Sequence, residues 1–176
     1  HFNVAASLNN LAELYRAQGQ YAMAKPLLRR ALLINENALG PDHIDVAMNL
    51  NNLALLLHAQ EQYTEAGSLH RRALEIKEKI LGPDHSDVAI SLNNLAALYA
   101  TEKGYKEAEK LYKRAMLINE KVYGLDHLSV ATSLNGLAVL YEEQGKYEKA
   151  EPLYRRALII VEKELGSEHP TVAASL

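Results

Sequence analysis

Histidine recurs every 42 residues along this chain, and an imidazole can bind a metal ion or transfer a proton. The five positions are His1, His43, His85, His127 and His169. A zinc ion needs several ligands at about 2 Å. Residues one helix pair apart are separated on the order of 15–20 Å, about two helix spacings. These histidines therefore cannot share an ion, and we expect each to cap or pack the loop in which it lies.

The sequence also lacks the residue patterns of thiol chemistry, phosphate binding and serine catalysis. The chain has no cysteine, so it lacks thiolate ligands and thiol nucleophiles. It has no glycine-rich phosphate loop, and Ser7, Ser91 and Ser133 have no histidine and carboxylate spaced to activate them. We therefore expect a protein that is not an enzyme and has no metal or cofactor.

Composition narrows the class of partner. A net charge of −3 gives no general attraction to nucleic acid, and no apolar run approaches the roughly 18 residues that span a membrane. The lack of cysteine suits a reducing compartment, so we expect a cytoplasmic protein. The predicted partner is a protein or peptide, with no nucleic acid and no membrane insertion.

A ladder of basic pairs recurs with the same 42-residue period. Its members are Arg29-Arg30, Arg71-Arg72, Lys113-Arg114 and Arg155-Arg156. Glutamates recur with them at positions 36, 78, 120 and 162. The interspersed signs favour a solvated, ion-paired face over a nucleic-acid surface. The first member of each pair should point outward, and the second should lay its stem on the core edge.

These residues belong to a tandem repeat that organises the whole chain. Val4, Val46, Val88 and Val130 are each 42 residues apart, and a tyrosine column keeps the same period. The pattern predicts one domain of four full repeats, with the start of a fifth. Their bounds are 3–44, 45–86, 87–128, 129–170 and 171–176.

Each repeat is predicted to form two helices. Asn3, Asp45, Asp87, Ser129 and Thr171 share one column of good N-cap residues before helix A. Helix A carries apolar residues at spacings of three and four, and Gly19 and Gly145 permit a left-handed stop at its end. Helix B begins near Tyr21 and ends at Gly40.

The helix pairs resemble tetratricopeptide repeats. Repeat 1 offers Leu8-x2-Leu11-Ala12-x2-Tyr15, then Ala24-x3-Leu28 and Ala31. With Leu-Asn-Asn-Leu-Ala in helix A and Leu-Gly-x-Asp-His between repeats, the long form is similar to kinesin light chain and nephrocystin-3 repeats. The resemblance implies an all-α, right-handed superhelical solenoid of antiparallel helix pairs, with helices A on the concave side. It also implies a protein-interaction scaffold or adaptor.

The resemblance further implies a peptide-binding groove along helices A. Its first asparagine column would pair with the backbone of an extended peptide, as the corresponding asparagines of kinesin light chain are thought to do, and neighbouring apolar positions would take side chains. The alternative is that these asparagines bond neighbouring helices and hold the stack. The expected groove residues are Asn9, Asn51, Asn93 and Asn135, then Asn10, Asn52 and Asn94, with Met48, Leu55, Ile90, Arg16 and His58.

The charge of this groove limits the ligand. No lysine stands at the groove positions, so a clamp for a C-terminal carboxylate is not expected. Arg16 and His58 are countered by Glu13, Glu142 and Glu143. We therefore expect an apolar or mixed ligand.

Two other functions remain open at this point. The terminal repeats have no polar capping helix in this sequence, which allows end-to-end self-association or a structural spacer role. A sensor arm of a larger multidomain protein is the third reading.

Overall fold

The computed structural model describes the backbone of residues 2–166 and the side chains of residues 4–166. Within that range the chain forms eight α-helices and no strand. In order they are α1 (Phe2–Ala17), α2 (Tyr21–Leu39), α3 (Ile44–Ala59), α4 (Tyr63–Leu81), α5 (Ser86–Thr101), α6 (Tyr105–Tyr123), α7 (Leu128–Glu143) and α8 (Tyr147–Leu165). The expected fifth repeat, together with His1 and His169, lies outside the described residues.

The helices divide between two compact units. Unit 1 is His1–Pro83 and unit 2 is Asp84–Leu176. In unit 1, α1 packs on α2, α2 on α3 and α3 on α4, while α1 and α3 lie side by side. Unit 2 repeats this arrangement with α5 to α8. Odd-numbered helices are helices A of the predicted repeats, and even-numbered helices are helices B.

The apolar columns form the core of each unit. Val46, Leu50, Leu53 and Leu57 are at most 3% exposed, and the equivalent residues of α7 are at most 5% exposed. Alanines at positions 24, 31, 66 and 73 are fully buried. Such small side chains let adjacent helices approach closely. One helix pair alone cannot bury its apolar face, which is covered by the neighbouring pair.

The predicted N-caps of helices A are wrong by two residues. The N-cap residues are His43, His85 and His127, whose Nδ1 atoms accept from the backbone N–H groups two residues later at 3.2, 3.1 and 3.1 Å. Asp45 and Asp87 lie in the first helical turn instead. A carboxylate there interacts favourably with the helix dipole, which explains their recurrence. The prediction that these three histidines cap or pack the loop before helix A is confirmed, since each caps the helix that follows it.

Helix A ends in a left-handed residue in every repeat. Gly19 and Gly145 have φ of 72° and 69°, as the sequence predicts. Glu61 and Lys103 occupy the same position with φ of 59° and 60°. A side chain in this region costs about 1–2 kcal/mol, so the repeats keep the geometry even where glycine is absent.

The basic ladder forms ion pairs across neighbouring repeats inside each unit. Arg72 pairs with Glu36 at 2.7 Å, and Arg156 with Glu120 at 2.6 Å. Both arginines also donate to a carbonyl in the connecting loop. The predicted ion-paired face is therefore confirmed for these pairs. Arg30 is exposed, so the expectation that it lies on the core edge is wrong.

Candidate protein-binding surface

The predicted groove residues lie where core packing leaves helices A uncovered. We call this surface the helix-A face; it belongs to α1 and α3 in unit 1, and to α5 and α7 in unit 2. Met48 and Ile90 are its most exposed large apolar side chains among the predicted residues, at 54% and 52%. Leu55 is half-buried. Val139, one turn beyond Asn135, is 46% exposed.

The first asparagine column is half-buried and engaged with neighbouring helices. Asn9 Nδ2 donates to Asn49 Oδ1 on the next helix A at 2.9 Å. Asn93 Nδ2 donates to Ser133 Oγ at 3.1 Å in the same relation. The Oδ1 atoms of Asn9 and Asn93 are buried and have no hydrogen-bond partner. One half of each amide thus holds helices together, and the other half is unsatisfied.

Asn51 has a different partner, on helix B of its own repeat. Its Oδ1 lies 3.0 Å from His70 Nδ1, so the Nδ1–H tautomer satisfies the pair. His70 is fully buried, and its Nε2 has no partner. Burial, with the nearby His58 and Lys77, lowers the pKa of His70 to about 4. Asn135 is half-buried in α7.

The second asparagine column differs in exposure from one repeat to the next. Asn10 is exposed, whereas Asn52 and Asn94 are half-buried. The fourth member is Gly136, where an added Cβ would lie 2.3 Å from Tyr112 Cε1. The position therefore serves the junction between repeats, at least in α7.

The charged groups at the far end of helices A are paired. Arg16 donates from Nε and Nη2 to the two carboxylate oxygens of Glu13, and this hydrogen bonding lowers the pKa of Glu13. The ring of His58 makes an edge contact with Tyr63 at 5.5 Å. Glu142 accepts from Tyr154 Oη at 2.6 Å. Burial, followed by this contact, raises the pKa of Tyr154 to about 12. Arg16 is thus neutralised by an ion pair, whereas the partner of Glu142 is an uncharged phenol.

Sequence reasoning missed two columns of buried polar residues. On helix B, Asn35, Lys77 and Asn119 are 3–5% exposed. On helix A, Asn49, Ser91 and Ser133 are at most 1% exposed. The pattern that indicates them in the sequence is a polar residue recurring every 42 positions on a helix face that is otherwise apolar.

Two kinds of site are absent from the described residues. Between residues 2 and 166, no three histidine or acidic side chains come together as metal ligands would. Over the same range, no helix combines the length and apolarity that crossing a bilayer requires.

The sequence matches the tetratricopeptide repeat family over three overlapping stretches. They are residues 3–66, 45–116 and 87–163. Because they extend over most of the chain, it belongs to the tetratricopeptide repeat family. A search of the curated proteins found no match.

Solved structures of the same architecture refine this class. A candidate kinesin light chain from Podosopora anserina, with nearly identical TPR-like repeats, is 29% identical at a TM-score of 0.83. The match covers 99% of this chain and 83% of that one. BtubC (BKLC) from P. vanneervenii is 26% identical at a TM-score of 0.81, over 94% of this chain and 66% of that one. The apo form of RapI, at 21% identity and a TM-score of 0.79, covers 98% of this chain and 46% of that one, and shows the fold alone.

This chain is a tetratricopeptide-repeat protein of the kinesin light chain type. The predicted all-α fold of the tetratricopeptide solenoid class is confirmed. At the level of class, its function is that of a protein-interaction scaffold.

Proposed function

We propose that the helix-A face of each unit binds an extended segment of a partner protein, and that this chain acts by binding without catalysis. The observation that carries the proposal is the pairing of exposed apolar side chains with unsatisfied amides. Met48 and Ile90 are more than half exposed, and the nearby Asn9 and Asn93 each keep an oxygen without a partner. A peptide supplies apolar side chains for the first, and its N–H donors can bond the second after these buried amides turn toward the surface.

The helix-B surface is the natural comparison. Leu33 and Leu117 are 58% and 60% exposed there, so exposure alone does not distinguish the two surfaces. The helix-B surface is laced with ion pairs such as Arg72–Glu36 and Lys79–Asp42, whose hydrogen-bonding groups already have partners. Next to the apolar side chains of the helix-A face lie buried amide atoms without partners, which a bound peptide can satisfy once the amides turn toward it.

The ligand should be uncharged or mixed in charge. Arg16, the basic groove residue predicted from sequence, is tied to Glu13. No lysine stands beside the asparagines of the helix-A face. An acidic peptide would lose hydration without gaining a cation in return. A mainly apolar segment with a few polar side chains fits better.

A peptide-display selection tests the proposal. Binders selected on the unaltered chain should lose at least tenfold in affinity with Met48→Glu or Ile90→Glu. They should be unaffected by Leu33→Glu or Leu117→Glu, which place the same charge at similarly exposed positions of helix B. Binding that depends on the helix-B variants, or that ignores all four, would refute the assignment. Asn51 and Asn93 are less suitable targets because both hold packing contacts.

End-to-end association is the second candidate, and a specific surface favours it. Val4, Leu11 and Leu14 of α1 are 43%, 40% and 53% exposed, whereas the equivalent residues of the other three helices A are at most 3% exposed. In α3 and α7 that side packs against a preceding helix B. The α1 surface therefore fits a helix pair of the same type, supplied by a second copy.

Sedimentation over a concentration series tests association. The unaltered chain should show a concentration-dependent rise in mass that Leu14→Glu abolishes and Leu33→Glu does not. A single monomeric species at every concentration would remove this candidate.

A further inference from the structure

A small polar cavity opens beside the asparagine column in unit 1. Its volume is about 150 Å³, and its wall combines two kinds of residue. The polar part consists of Asn9, Asn35, Asn49 and Asp45. The apolar part consists of Ala5, Ala6 and Met48. Met48 is 54% exposed, so it connects the cavity to the helix-A face.

The asparagines in this wall hold unsatisfied hydrogen-bonding groups. Asn49 is 1% exposed and its Nδ2 has no partner, while its Oδ1 accepts from Asn9. Asn9 Oδ1 also lacks a partner. One donor and one acceptor are therefore left over from a single asparagine pair. A buried polar group without a partner destabilises the folded state, so both atoms favour a guest that satisfies them.

At the equivalent position of unit 2, the helix-B asparagine bonds across the junction. There Asn119 takes the place of Asn35, and its Nδ2 donates to Ser129 O at 3.0 Å and Ser133 Oγ at 3.3 Å. Ser129 and Ser133 take the places of Asp45 and Asn49. The short Ser133 accepts from this asparagine, although the buried Asn93 Oδ1 has no partner there either. Unit 1 carries the longer Asn49 at that place and leaves a donor as well as an acceptor open.

We infer that this cavity is a side-chain subsite of the helix-A face and takes a primary carboxamide, the head group of glutamine or asparagine. The inference rests on the proposed peptide binding and adds one specificity to it. A carboxamide offers an oxygen to Asn49 Nδ2 and an N–H to Asn9 Oδ1. The terminal torsion of asparagine is broad and roughly two-fold, so both protein amides can turn toward the guest.

Size and charge favour the carboxamide over the alternatives. A cavity of this volume holds a ring as large as benzene, so a carboxamide fits. An ammonium group would meet Asp45 and Asn9 Oδ1 and leave Asn49 Nδ2 unsatisfied. Ala5, Ala6 and Met48 provide an apolar collar for the methylene groups of the guest.

Methyl NMR with propionamide tests the subsite on the full chain. Of the three methionines, Met48 lines the cavity, and Met23 on helix B is equally exposed at 53%. Propionamide should shift the Met48 methyl signal saturably, with a dissociation constant on the order of 10–100 mM for so small a ligand. The Met23 signal should not move. N,N-dimethylpropionamide, which has no N–H, should bind at least fivefold more weakly.

A matched variant and three further outcomes decide the inference. Asp45→Ser with Asn49→Ser copies unit 2 and should abolish the shift while circular dichroism stays unchanged. If that variant does not fold, the two ligands on the unaltered chain still decide. Equal effects of both amides, equal shifts of Met48 and Met23, or tighter binding of n-propylammonium would overturn the assignment.

Failure of the subsite and failure of peptide binding give different results. Selected peptides that bind equally well after Gln→Ala and Asn→Ala replacements would overturn the subsite and leave the proposed function standing. Saturable propionamide binding without any captured peptide would refute the proposed function instead.

Discussion

Tyr112 and Gly136 fit one another across the junction of α6 and α7. Tyr112 is 7% exposed, and a Cβ on Gly136 would lie 2.3 Å from its ring. The equivalent pair at the first junction is Leu28 and Asn52. A larger residue on helix B is therefore matched by a smaller one on the next helix A. Gly136 is retained for space and not for backbone freedom, since its φ is not positive.

Gly136→Ala should destabilise unit 2 by about 1–3 kcal/mol, because the added methyl overlaps a packed ring. Tyr112→Leu combined with Gly136→Asn recreates the pair of the first junction and should recover much of that loss. Urea unfolding of the single and double variants gives the coupling energy. Additive effects would show that the two positions do not compensate one another.

Glu61→Gly and Lys103→Gly should each stabilise the chain by about 0.5–1 kcal/mol. Both residues have a left-handed backbone, and the relief of about 1–2 kcal/mol exceeds the entropy that glycine loses on folding. Thermal unfolding would detect the gain. Glu102→Gly, at the preceding position with ordinary φ, is the control and should destabilise. A loss of stability in Glu61→Gly would contradict the strain argument.

The buried His70 should make unit 1 sensitive to acid. Its folded pKa of about 4 lies below the ordinary 6.5, so the folded state binds a proton less readily than the unfolded state. Its neutral form is therefore fully compatible with folding above pH 6.5. Stability should fall as the pH drops from 6.5 toward 4, by up to about 3 kcal/mol.

His70→Leu, the residue that repeat 1 carries at this position, should remove most of that fall. Urea unfolding at pH 7, 5.5 and 4.5 measures the difference. His43→Leu is a control histidine at a helix start, and it should keep the acid sensitivity. Identical pH profiles for the unaltered chain and His70→Leu would assign the effect elsewhere.

His127 caps α7 and also stacks on Tyr123, at a ring separation of 4.2 Å. His127→Ala should cost about 1–3 kcal/mol, because it removes a cap and an aromatic contact. His127→Asp keeps an acceptor for the cap and should recover about 1 kcal/mol. Chemical unfolding compares the two variants. An aspartate variant no better than alanine would mean that the stacking contact dominates.

The repeat period, the helix pairs and the core were predictable because apolar and small residues must recur wherever helices pack. The starts of helices A were not predictable, since their N-caps are histidines and side-chain preferences favour the aspartates two residues later. The sequence predicts where the first asparagine column lies on helices A, but it does not predict what these side chains bond. Asn9 finds its partner 40 residues away, and its use in packing follows from a junction geometry that spacing alone does not give. Likewise, Asn119 bonds Ser133 Oγ across its junction, a contact that depends on the short side chain opposite.

Some ion pairs tie a helix B to another helix B or to the loop before the helix A of its repeat, and they have a consequence for how the chain folds. Lys79–Asp42 and Lys121–Asp84 each join residues 37 positions apart, and Arg156–Glu120 joins residues 36 apart. Contacts inside a unit therefore close only short loops. Low contact order of this kind favours rapid folding with little loop-closure entropy. A helix pair can form as soon as its neighbour is available, so assembly can spread from pair to pair along the chain as it is synthesised.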